Sequence, residues 1–264
     1  MLVALAVLVP AIPLAIGVGI GLRQPGTGAA ATTTTTTAGF TPFGLDAGAI
    51  TKLKRSTPAH PGGSGALAGA LVAQVEHPTA LRSSPGGREL VRLTTRTGFG
   101  SPEVLWVVNR VRGWLGVISP QAGNGRVGWI AQGATSLHRV PWELKVSLGA
   151  RRLTVLKGDH VVARYKVAIG ASGAPTPTGR FAVTDRLRTG DPAGPYGCCI
   201  LALSANSPHA IQGWTGGHRI AIHSTPETSS IGQAASHGCV RVTLPEGRWL
   251  LTHIPLGTPT LIST

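Results

Sequence analysis

RIAIHSTPETSSIGQAASHGCVRV, from Arg219 to Val242, holds the residues on which both the fold and the chemistry of this chain turn. Arg219 to His223 alternates polar and apolar side chains, the pattern of a strand with one buried face, ending at His223. The Pro, Ser and Gly content that follows is that of a loop, and it returns to Cys239. A strand that ends on an imidazole and a loop that comes back on a thiol can bring base and nucleophile together. A thiol is a useful nucleophile only as thiolate, and a nearby imidazole is the usual means of taking its proton. Gly238 lets the backbone approach a bound carbonyl, so the peptide nitrogens of Gly238 and Cys239 are candidate oxyanion donors.

One Cys beside one His is more often packed core than a site; the cluster of His223, His237, Cys239 and Arg241 is what favours chemistry. His218, His223, His237 and Cys239 are also potential zinc ligands, but no CxxC or HExxH spacing accompanies them, so neither a metal nor another cofactor is expected. A papain-like peptidase places its nucleophilic Cys well before its His, whereas here both histidines precede the thiol.

IHST followed by SHGCVR resembles the signature of the L,D-transpeptidases, bacterial cell-wall enzymes with a catalytic cysteine. The similarity extends upstream through RRLTVLKGDHVVARYKVAIG, PTPTGRFAVTD and GPYG, and covers about half of the chain, from Trp142 onwards. The resemblance implies acyl transfer in which Cys239 attacks a peptide carbonyl and His223 takes its proton. Ser224 matches the position whose backbone carbonyl orients the base. His237 and Ser236 match positions that shape the pocket, Arg241 the Arg or Asn that closes the motif, and Tyr196 lies in GPYG as a substrate contact. The implied donor is a peptidoglycan tetrapeptide stem, the leaving group D-Ala, the acceptor the third-residue amine of a neighbouring stem, and the product a 3→3 cross-link. An L,D-carboxypeptidase, a peptidoglycan-protein ligase and a non-catalytic wall-binding protein stand as alternatives.

The resemblance implies a β-sandwich or barrel, and the residues agree. WELKVSL, RRLTVLK, HVVARYKVA, GRFAVTD, CCILALS and RIAIH all suit strands of a sheet with one solvated face. Thr243 with Glu246 makes a capping box before Trp249, Leu250, Leu251 and Ile254, which predicts one helix after the site. The catalytic domain is expected over residues 141–264. Residues 70–140 carry LVRLTT, VLWVVNRV, WLGVIS and VGWIA between turn signals, the pattern of a small antiparallel β module that resembles bacterial SH3-like domains. Its Trp106, Trp114 and Trp129 are read as core aromatics rather than ligand contacts.

Residues 1–23 hold no charge before Arg23 and are expected to be a membrane anchor, with a signal peptide as the competitor. Residues 24–69, rich in Thr, Gly, Ala and Pro, are expected to be a disordered linker. Either reading of the N-terminal segment sends the catalytic part out of the cytoplasm. The net charge of +14, from 24 Lys+Arg against 10 Asp+Glu, favours contact with acidic polymers. The basic residues are scattered without a binding motif, so wall polymers or lipid headgroups are expected in preference to nucleic acid; no oligomeric state is implied. Of three cysteines, Cys198 and Cys199 are adjacent and are expected to be two buried, inert thiols. A bond between the two neighbours is strained and is set aside for that reason, and a disulfide between one of them and Cys239 is the other alternative.

Overall fold

The computed structural model describes residues 69–208 and 218–264. The anchor expected over 1–23 and, apart from Gly69, the linker expected over 24–69 lie outside the described residues. Among the described residues no helix is long and apolar enough to cross a membrane.

The protein is mostly β. Residues 70–140 form one seven-stranded sheet: β1 (Ala70–Val75), β2 (Thr79–Arg82), β3 (Glu89–Leu93), β4 (Val104–Val111), β5 (Trp114–Ile118), β6 (Gly128–Ala131) and β7 (Thr135–Val140). Its order is β3-β2-β6-β5-β4-β1-β7, with antiparallel pairing throughout. Leu81, Leu105, Leu115, Val117 and Ile130 are fully buried at its centre. Trp106, Trp114 and Trp129 are half-buried.

Ten further strands follow: β8 (Trp142–Ser147), β9 (Arg152–Lys157), β10 (His160–Lys166), β11 (Ile169–Gly170), β12 (Gly179–Arg188), β13 (Cys199–Asn206), β14 (Arg219–Thr225), β15 (Ala234–Ser236), β16 (Val240–Thr243) and β17 (Pro259–Ser263). Eight of them make a nearly closed sheet, β10-β9-β8-β17-β12-β13-β14-β16, while β11 and β15 pair separately. The ten-residue β12 makes the closure possible. Its first half pairs with β17 and its second half, after a bulge between Val183 and Asp185, with β13. A bulge of this kind bends a strand and lets it leave one neighbour for another. Alternate side chains point inward, among them Leu144, Val146, Leu153, Val155, Tyr165, Val183, Leu201, Leu203, Ile220, Ile222, Val240 and Val242.

The helix expected after the site is α1 (Leu244–His253). The Glu246 carboxylate accepts the Thr243 N–H at 2.8 Å, satisfying one of the amides a helix start leaves over. Leu250 and Leu251 are buried, and α1 packs on β13, β14 and β16, the strands that carry the site.

Both sheets fall within one compact unit. Val72, Val104 and Val140 meet Trp142 and Leu256 in a small apolar cluster, and the Arg180 guanidinium lies 4.7 Å from the Trp106 ring centroid. Asn124 and Asn206 exchange side chain to backbone hydrogen bonds at 2.7 and 2.9 Å. A buried charge cluster completes the junction. The carboxylate of Asp185 accepts from Thr97 Oγ1 and lies 3.8 Å from the Arg219 guanidinium, while burial and the charge of Asp185 push Glu103 up to about 7.

Candidate active site

The site is built across β14 and β16, two neighbouring strands that run parallel. Ile222 pairs with Val240 and His223 with Arg241. Because side chains alternate along a strand, Ile220, Ile222, Val240 and Val242 go into the core, and Ala221, His223, Cys239 and Arg241 share the other face. The loop predicted between His223 and Cys239 is present, with two differences. The strand continues past His223 to Thr225, and the returning chain contributes β15, parallel to β11. Cys239 is a buried free thiol packed with Ile200 and Ala221, 6% exposed, and His223 is 3% exposed.

Burial governs both groups. It pushes the Cys239 thiol up to about 11 against the lesser pull of the Ala221 backbone and the Arg241 charge. It brings His223 down to about 4; the carbonyls of Ser224 and Tyr196 oppose this, and Arg241 adds to it. The resting pair is therefore neutral thiol and neutral imidazole. Nδ1 of His223 lies 2.8 Å from the Ser224 carbonyl, which can only accept, so Nδ1 carries the proton and Nε2 keeps its lone pair. The Ser224 carbonyl thus lies on the Nδ1 side of the His223 ring.

The turn that presents the thiol is stitched by Ser236. Its hydroxyl donates to the Cys239 carbonyl at 2.5 Å and accepts the Gly238 N–H at 3.1 Å. The Gly238 nitrogen expected to face an oxyanion is thus engaged within the turn. Gly238 has φ +113, and a Cβ there would come within 2.9 Å of Ile220 Cδ1, so the residue is needed for its backbone shape and its lack of a side chain. His237 is exposed, and among the described residues no hydrogen bond or ion pair joins it to Cys239. Arg241 pairs with Glu227 at 3.4 Å, a partner with no sequence signal. The Tyr196 ring stands edge-on to His223 with centroids 5.0 Å apart. The Pro-stiffened segment after Gly170 reaches the site as well, since the Pro175 carbonyl would lie 3.6 Å from a Cβ on Gly238.

The reading of Cys198 and Cys199 as two inert thiols is corrected. They are bonded to each other, and Cys239 is left free. Cys199 lies on β13, and both cysteines meet the buried Ser224 hydroxyl, Cys199 through its N–H at 3.2 Å and Cys198 through its sulfur at 3.4 Å. Among the described residues no group of three or more His, Cys, Asp or Glu side chains is arranged to hold a metal ion.

A mostly β protein with a buried thiol, a buried imidazole on the adjacent strand and a carbonyl fixing its tautomer has the parts of a cysteine acyltransferase. Residues 141–262 match the family model described as the L,D-transpeptidase catalytic domain, YkuD. YkuD of Bacillus subtilis, named as an L,D-transpeptidase, is 31% identical over 51% of this chain and 73% of its own length. Its Bacillus licheniformis counterpart is 32% identical over 49% and 70%. This chain belongs to the L,D-transpeptidase family. A solved structure from Bdellovibrio bacteriovorus, Bd1075, is 26% identical with a TM-score of 0.37 over 47% of this chain, which spans 48% of that one, about half its length.

Proposed function

We propose that the protein forms 3→3 cross-links in peptidoglycan by cysteine acyl transfer. The observation that carries this reading is the Nδ1 of His223 held 2.8 Å from the Ser224 carbonyl, on a residue facing the same side as Cys239. Since the resting thiol is neutral, its proton leaves for Nε2 as the sulfur attacks the carbonyl of the third stem residue. The carbonyl oxygen takes the negative charge, and the Cys239 N–H is the donor proposed for it. Collapse of that intermediate gives a thioester, and the proton held by His223 goes to the amine of the departing D-Ala. The third-residue amine of a neighbouring stem then attacks the thioester, loses a proton to His223, and restores the thiol. Ser236, Arg241, Tyr196 and His237 line the approach.

Family membership supports a transpeptidase-type reaction and the peptidoglycan stem as substrate. Incubation with disaccharide tetrapeptide, followed by mass spectrometry, is the test. A dimer that has lost one D-Ala is expected. Tripeptide alone would replace this reading by a carboxypeptidase, and neither product together with an unmodified Cys239 would overturn the acyl-transfer mechanism.

The same reading assigns residues 70–140 to an SH3-like companion domain and 141–264 to catalysis outside the cytoplasm. Residues 1–23 serve there as membrane anchor, and the +14 charge favours anionic wall polymers. Recovery of the chain in the cytosolic fraction of its host would refute that placement.

A further inference from the structure

Ser224 is completely buried, and its surroundings are unusual for a residue whose task is to offer one carbonyl. Its Oγ accepts the Cys199 N–H at 3.2 Å, and lies 3.4 Å from Cys198 Sγ and 3.5 Å from the Tyr196 carbonyl oxygen. The Cys198 sulfur has no proton to give, since it is bonded to Cys199, and the one proton of the Ser224 hydroxyl serves either that sulfur or the Tyr196 carbonyl. Gly197 presses on the same residue from the front. A Cβ at Gly197 would stand 2.5 Å from Ser224 Oγ and 2.8 Å from both its carbonyl carbon and oxygen. A Cβ at Gly247 of α1 would likewise stand 2.6 Å from Ser224 Cβ. The segment is tied down further at Thr189, whose N–H donates to the Cys198 carbonyl at 3.2 Å and whose hydroxyl donates to the Gly197 carbonyl. Tyr196, at the head of the segment, is the residue edge-on to His223.

A bond between neighbouring cysteines closes a small ring that contains the peptide bond between them, and so fixes the backbone on either side. In this fold that backbone is what grips Ser224. We infer that the Cys198–Cys199 disulfide is a positioning element for the base, holding Tyr196, Gly197 and Ser224 so that the Ser224 carbonyl keeps the proton of His223 on Nδ1. The inference rests on the reading of Cys239 and His223 as nucleophile and base. Neither sulfur touches the reacting groups. Opening the disulfide takes two electrons and two protons from a dithiol, which closes to its own disulfide, and leaves two thiols at Cys198 and Cys199. Two thiols place no ring restraint on the Cys198 peptide. The grip on Ser224 loosens, and the imidazole gains access to the alternative tautomer, in which Nε2 carries the proton and cannot accept one from Cys239.

The test uses the whole protein in two states: as isolated, and after dithiothreitol with anaerobic removal of the reductant. Thiol titration in denaturant should count one free thiol in the first state and three in the second. Acylation of Cys239 by meropenem, followed by mass spectrometry, should be at least tenfold slower after reduction. The nitrogen chemical shifts of His223 should report one tautomer, protonated at Nδ1, before reduction and a mixture afterwards. A Cys198→Ser, Cys199→Ser double variant should match the reduced protein in both readouts, and reduced wild type decides the matter if that variant does not fold. Three free thiols in the isolated protein would overturn the inference, as would an acylation rate and tautomer indifferent to confirmed reduction. Absence of any Cys239 adduct in both states would instead remove the nucleophile reading, and this inference with it.

Discussion

Cys239 is expected to be a slow thiol until substrate arrives, and its reaction with iodoacetamide across pH measures this. An unperturbed thiol with a pKa of about 8.5 is about 3% thiolate at pH 7. With burial pushing Cys239 up to about 11, the fraction falls to about 0.01%, so alkylation at pH 7 should run about 10² to 10³ times slower than that of a small free thiol. Burial also obstructs the reagent, at only 6% exposure, so the shape of the profile matters more than its height. A neutral buried thiol gives a rate rising about tenfold per pH unit from pH 6 to beyond pH 9, because only the thiolate reacts. A thiolate–imidazolium pair would give a plateau between the two ionisations, spanning neutrality. His223→Ala should leave the rising profile in place, since in the resting site His223 is down at about 4 and lends no positive charge to the sulfur. A plateau in the wild type between pH 5 and 8, abolished in His223→Ala, would refute the neutral pair and with it the coupling of proton transfer to attack.

Cys239→Ala should abolish acylation and cross-linking with the melting temperature nearly unchanged, and retained turnover would end the cysteine mechanism. His223→Ala should slow single-turnover acylation by about 10² to 10⁴; an unchanged rate would move the base to His237. Gly197→Ala puts a side chain at φ +55 against the Ser224 backbone, so acylation should fall at least tenfold with some loss of stability, and wild-type kinetics would deny that this contact positions the base. Glu103, raised to about 7 in the fold against 4.5, contributes stability that is present below pH 4.5 and lost as pH rises through 7, whereas His223, lowered to about 4 against 6.5, contributes stability present above 6.5 and lost as pH falls through 4. Glu103→Gln removes the first dependence alone, so its stability relative to wild type should grow by about 3 kcal/mol between pH 4.5 and 7, and parallel curves from urea unfolding would refute the assignment.

The strands were legible where alternation was long enough to be unambiguous. VLWVVNRV is β4 residue for residue, and the six runs read in the catalytic part all lie on strands β8, β9, β10, β12, β13 and β14. The capping box of Thr243 and Glu246 placed α1 because both partners of that bond lie three residues apart. What escaped was not only the short elements: β1 and β7, six residues each, escaped as well, as did β2 and β17. β11, β15 and β16 have two to four residues each, too few to show a period, and they exist because each has a neighbour already in place. The parallel contacts of β8 with β17 and of β14 with β16 carry no turn chemistry that announces them. Thr97 and Asp185, 88 residues apart, meet only because the two sheets pack together.

The site divides along the same line. His223, Gly238, Cys239 and Arg241 stand within one stretch of chain whose spacing singles them out as candidates, while Ser224 and Ser236 enter only through the family resemblance. Their protonation states could not be read that way, because desolvation is the largest influence on both Cys239 and His223 and depends on what β13, α1 and the Tyr196 segment place around them. The adjacent cysteines illustrate the limit most sharply: as composition they look like two small core residues, and only the fold brings the Cys199 N–H and the Cys198 sulfur to the Ser224 hydroxyl. A thiol kept protonated by its surroundings needs a base whose lone pair is aimed before substrate comes. On the proposed mechanism Ser224 aims that lone pair directly and the Tyr196–Cys199 segment through Ser224, so changes there are expected to slow acylation although none of these residues touches the sulfur.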